Sequence, residues 1–95
     1  MANPDRLRPF QDIADRLRAV REVDGSGQKE FAEAAGLKYT QYKNWESGAS
    51  RVGLDGALAL RDRYGITLEY IYVGELDSLP ISWRKELSSR PTDIS

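Results

Sequence analysis

Apolar residues recur at helical spacing along most of the chain. Ile13, Leu17 and Val20, with Arg16, Arg18 and Arg21 among them, predict an amphipathic helix over Phe10 to Glu22. Asp24, Gly25, Ser26 and Gly27 form a stop-and-turn cluster. A second helix opens at Gln28, with Gly27 as N-cap and Glu30 in capping-box position. It turns Phe31, Ala32 and Ala35 inward and stops at Gly36. The pattern from Thr40 to Glu46 predicts a short third helix, with Tyr42 and Trp45 three apart on one face. Tyr39, Thr40, Lys43 and Asn44 gather on the other, and Gly48 follows as a stop. A fourth helix runs from Leu54 to Tyr64, with Leu54, Ala57, Leu58 and Tyr64 inward and Gly65 closing it. Thr67 caps a fifth through Leu68, Ile71 and Tyr72, which Gly74 ends. No stretch alternates with period two for long enough to make a strand. The expected fold is all-α.

The ends differ from the middle. Residues 1–9 carry two prolines and read as a flexible lead-in, and residues 10–75 as the domain. Residues 76–95 read as a tail with one short helical stretch between Pro80 and Pro91, and as a possible dimerisation element. An apolar share of 40% supplies one modest core, which argues against wholesale disorder. The longest apolar runs, Ala57 to Leu60 and Tyr70 to Val73, are far too short for a membrane span. No signal-peptide core is visible, so a cytoplasmic location is expected.

Composition removes several chemistries. Without cysteine there is no disulfide, thiolate metal site or Cys nucleophile. Without histidine the commonest general base and transition-metal ligand are missing. No glycine-rich phosphate loop follows Gly25-Ser26-Gly27, and no carboxylate pair stands out. The chain is expected to be no enzyme and to need no cofactor, metal or small-molecule substrate. The balance of 14 Lys+Arg against 15 Asp+Glu also speaks against the simplest nucleic-acid signal, a strongly basic domain.

Two short helices joined by a glycine-containing turn make a helix-turn-helix candidate, and particular residues sharpen it. Gln28-Lys29-Glu30-Phe31-Ala32, then Gly36-Leu37, then Trp45-Glu46-Ser47-Gly48 resembles the phage repressor and Cro type of domain, the xenobiotic-response-element family. Arg63 to Ile71 resembles that family's closing segment, so the likeness covers about Ile13 to Gly74. Three slots depart from the family pattern: Ser26-Gly27 before the second helix, Lys38 at the opening of the third, and Val52 in place of a loop proline.

The resemblance implies a five-helix repressor-type bundle with a short C-terminal helical tail. It implies that the third helix enters the DNA major groove while the second crosses the backbone. Carried over position by position, Lys38, Tyr39, Thr40 and Asn44 fall on base-reading slots, with Lys43 beside them. Gln28, Lys29, Ser47 and Arg51 fall on backbone-contacting slots, and Arg21 and Glu46 on a structural salt bridge. The chemistry suits these roles: Asn bonds adenine bidentately, Lys reaches guanine acceptors, and a Thr methyl packs on thymine's methyl. Phe31, Leu37, Tyr42 and Trp45 are expected in the core.

The function so implied is sequence-specific binding of double-stranded DNA by a repressor acting as a homodimer. Dimerisation through Leu68 to Val73, or through the tail around Ile81, Trp83 and Leu87, are both open. Trp83 either packs back on its own chain or meets a partner. The alternative is a protein–protein module of the same fold, an antitoxin or anti-regulator. The second half favours it, with five basic against seven acidic residues from Val52 onward. Read by position, the neutral total still leaves a one-sided positive patch: Lys38, Lys43 and Arg51 stand against Glu46 alone, itself expected to face Arg21.

Overall fold

The computed structural model describes residues 10–89; the lead-in at 1–9 and the end of the tail at 90–95 lie outside them. Every regular element among the described residues is a helix. Helix α1 spans Gln11–Asp24, α2 Gln28–Ala34, α3 Tyr39–Glu46, α4 Leu54–Tyr64 and α5 Leu68–Val73; a 3-10 turn at Leu76–Ser78 leads to α6, Ile81–Ser88. Local chemistry sets several boundaries. The Gly27 N–H donates to Glu30 Oε1 at 3.0 Å, so the start of α2 has half a capping box, glycine having no side chain to return the bond. Thr67 caps α5 with its side chain, Oγ1 accepting from the Tyr70 N–H at 3.1 Å. Gly36 takes φ of 78° in the turn between α2 and α3, a conformation that other residues adopt only with strain. Helix α3 begins one residue earlier than its sequence pattern suggests, at Tyr39, with Lys38 as its N-cap.

The core gathers one face of each helix. Leu17 and Val20 of α1 meet Phe31 and Ala32 of α2, Tyr42 and Trp45 of α3, and Leu60, Ile66 and Ile71 further along. Leu37 and Ile13 are half-buried and pack against this cluster. Leu54 corrects the expected inner face of α4. It is 58% exposed, and the buried positions are Gly56, Ala57 and Leu60. The reason is the approach of α3: a Cβ on Gly56 would overlap the Trp45 indole, with two further ring carbons at 2.9 and 3.2 Å. The helix offers its glycine to the indole and leaves its first leucine in solvent. Gly56→Ala should therefore lower the melting temperature. Overpacking costs about 1–3 kcal/mol, more than the roughly 1 kcal/mol that alanine adds in helix propensity. A thermal melt followed by circular dichroism checks the sign.

The tail closes onto the bundle. Leu79 is buried, and Trp83 and Leu87 pack against the core. The Trp83 indole N–H donates to the Tyr64 carbonyl at 2.7 Å, so this tryptophan finds its partner within its own chain. Most of the surplus apolar surface expected at Leu68 to Val73 is likewise used internally. Tyr70 and Ile71 are buried, and the Tyr72 hydroxyl donates to the Val52 carbonyl at 2.7 Å. Val73, 67% exposed, is what α5 leaves outside. Among the described residues no helix is long and apolar enough to cross a membrane.

Candidate nucleic-acid interface

Helix α3 has two unlike sides. At 3.6 residues per turn, Tyr42, Trp45 and Glu46 fall together and are buried. Thr40, Lys43 and Asn44 fall opposite and are exposed, and Lys38 is exposed at the helix start. Tyr39 is half-exposed at the edge of this strip, with Lys43 Nζ 5.8 Å from its ring centroid. Gln41 is exposed as well and extends the polar strip beyond the residues singled out from sequence. Its place between Thr40 and Tyr42 was the available signal, and the packing of Trp45 decides which side of the helix it joins.

The strip is held from behind by one buried carboxylate. Arg21 Nε donates to Glu46 Oε2 at 2.6 Å, and Nη2 donates to Oε1 at 3.1 Å. Tyr42 donates its hydroxyl to Oε2 at 2.6 Å, and Gln28 donates Nε2 to Oε1 at 3.0 Å. The remaining Arg21 amino group, Nη1, reaches the Ser26 carbonyl at 3.0 Å. Four donors thus converge on one side chain, which joins α1, the start of α2 and the end of α3. The Glu46 side chain is only 2% exposed against 17% for Arg21, so the acid is the enclosed member of the pair. Burial pushes the Glu46 carboxyl up, but hydrogen bonds from Arg21, Tyr42 and Gln28 outweigh it and hold it below the ordinary carboxylate range. The Tyr42 phenol is pushed far up by burial first and by its bond to the charged Glu46 next. The bond to Glu46 holds the Arg21 guanidinium above its usual value.

The residues assigned to DNA backbone contact divide into two kinds. Gln28 and Ser47 already have partners. The Gln28 amide nitrogen is committed to Glu46. The Ser47 hydroxyl donates to the Asn44 carbonyl at 2.9 Å and accepts from the Ala49 N–H at 3.3 Å. The same Asn44 carbonyl accepts from the N–H groups of Ala49 and Ser50 at 3.1 and 3.2 Å, with Gly48 at φ of 81°. This knot fixes the loop that carries Arg51. Lys29, Lys38 and Arg51, by contrast, are exposed and form no ion pair with the described residues. Their charges are available to an outside anion. The Asn44 side-chain amide has no hydrogen-bond partner among the described residues, although its backbone carbonyl is fully used. Helix α3 therefore pairs a fixed inner frame with exposed side chains that the described residues leave uncommitted.

Helices α2 and α3, joined by the Ala35–Lys38 turn and backed by α1, define a helix-turn-helix domain. The chain matches the helix-turn-helix family model HTH_3 over residues 17–71, and it belongs to this Cro/C1-type family of DNA-binding regulators. That family is a regulatory one, not an enzymatic one. No curated protein and no solved structure matched the chain in the corresponding comparisons.

Proposed function

We propose that this protein is a sequence-specific repressor that binds double-stranded DNA as a homodimer and acts by occupying its operator. The observation that carries the reading is the two-sided α3. Its inner face is locked by Glu46, and its outer face offers Thr40, Lys43 and Asn44, all exposed, with none of the described residues packed over them. In this reading Lys38, Tyr39, Thr40, Lys43 and Asn44 meet base edges. Lys29 and Arg51 meet phosphates, joined by the outward remainder of Gln28 and Ser47. Arg21 and Glu46 hold the frame. One such domain contacts few bases, and two copies reading half-sites about one helical turn apart give the selectivity that an operator needs.

Selection from a random duplex library, read together with light scattering of the complex, tests this. The expected result is one enriched half-site in a palindrome, with two protein chains per duplex. A library with no enrichment, together with a stoichiometric protein partner, would favour the antitoxin-like module instead. Affinity for the selected duplex should fall steeply with salt. The logarithm of the binding constant drops by about 0.9 per phosphate neutralised for each tenfold rise in salt, and a filter-binding titration over salt gives the number of phosphates.

A further inference from the structure

The family match ends at Ile71 and α6 lies past it, yet α6 reaches the helix-turn-helix through three aromatic side chains. Tyr64 is the last residue of α4, so its carbonyl lies at a helix end, where the helix itself supplies no N–H. The Trp83 indole donates to that carbonyl at 2.7 Å. The Tyr64 hydroxyl in turn donates to the Phe31 carbonyl at 2.7 Å. That carbonyl is released in the same way: the Ala35 N–H, which a continuing helix would direct to it, bonds Ala32 at 3.0 Å instead. The Tyr64 ring stacks on Phe31 with centroids 4.1 Å apart and planes within 6°. Phe31 then meets Tyr42 of α3 at 5.4 Å.

Two helix-end carbonyls are thus each capped by an aromatic donor from a later element. The second cap sits on the last turn of α2, which leads into the turn that sets α3 relative to α2. Helix α2 has only seven residues, and its N-cap, Gly27, has no side chain to bond the first-turn N–H groups. So short a helix does not hold its own geometry in water, and its last turn takes its position from tertiary partners.

We propose that Trp83 is a positioning residue for the reading helix: by capping α4 it fixes Tyr64, and Tyr64 fixes the end of α2 and the turn into α3. The inference rests on α3 being the helix that reads DNA. Leu79 and Leu87 hold the tail by apolar contact; the indole N–H adds a direction to that docking, which a ring without a donor lacks.

Trp83→Phe keeps a ring and deletes the donor. Hydrogen exchange followed by NMR should show the amides of Ala35, Gly36 and Leu37 exchanging about fivefold faster, the loss of one ordinary hydrogen bond. The Leu17 and Val20 amides of α1 should change less. Tyr64→Phe, which removes the bond to Phe31 and leaves the Trp83 contact, should act on the same turn. Equal acceleration of every slow amide would mean that Trp83 contributes only overall stability, and would overturn the proposal. In the second arm, Trp83→Phe should lose several-fold affinity for the selected duplex and none for random duplex, at a temperature where circular dichroism shows both proteins fully folded. Unchanged affinity for the selected duplex would equally overturn it. Should the wild type select no duplex at all, the DNA-reading assignment fails, and the exchange arm decides the positioning role by itself.

Discussion

Replacing Glu46 with alanine is expected to cost the domain about 3–5 kcal/mol, the usual loss when one partner of a buried ion pair is removed. A domain of this kind has about 5–15 kcal/mol of stability in total, so the variant should be close to unfolding at moderate temperature. The size follows from what is left behind. Arg21, Tyr42 and Gln28 all lose an acceptor, and the Tyr42 hydroxyl is buried with only a long contact of 3.4 Å to the Leu17 carbonyl. Arg21→Ala should cost a similar amount for the converse reason, because it leaves an almost fully enclosed carboxylate without its counter-charge, with only the neutral donors of Tyr42 and Gln28. Urea denaturation of both variants measures the effect. A loss below about 1 kcal/mol in each, the range of an exposed pair, would show that the network adds little.

The same network gives the protein an acid limit with a definite sign. The folded-state carboxyl of Glu46 titrates below its ordinary value of 4.5. Its contribution to stability is therefore complete above that value and is lost as the pH falls through the folded-state value. Between pH 6 and pH 3 the wild type should lose more stability than Glu46→Gln, which has nothing to titrate at this position. Urea midpoints across that range make the comparison, and parallel curves would remove Glu46 from the acid response.

Much of the fold is legible because helical periodicity and glycine stops act locally. The stops at Gly36 and Gly48 and the cap at Thr67 need only neighbouring residues to be recognised. What was not legible depends on distant partners. The need for glycine at position 56, inside a helix, comes from Trp45, eleven residues earlier, which occupies the space over it. Leu54 looks inward by its chemistry and is exposed because the packing face of α4 is set by that same indole. Trp83 bonds a carbonyl nineteen residues earlier, which no spacing rule specifies. At the site, the resemblance brought Arg21 and Glu46 to one place, and their atoms meet at 2.6 Å. It did not place Gln28 and Tyr42 on the same carboxylate. Their side chains turn inward because Glu46, buried and charged, needs more donors than Arg21 alone provides.

Asn44→Ala should lower affinity for the selected duplex by about 1–3 kcal/mol, roughly five- to 150-fold, and relax the preference at one base pair per half-site. Arg51→Ala should weaken every sequence alike and reduce the salt slope by about 1. The contrast separates reading from holding. The control is favourable for both variants. The Asn44 amide and the Arg51 guanidinium are exposed and bonded to nothing in the described chain, so neither substitution should move stability beyond about 0.5 kcal/mol. Changes in binding can then be assigned to lost contacts with DNA and not to partial unfolding. Competition of the selected duplex against single-base variants measures both effects. If Asn44→Ala weakened all duplexes uniformly, α3 would be lying on the phosphates, and the bases would have to be read by another element.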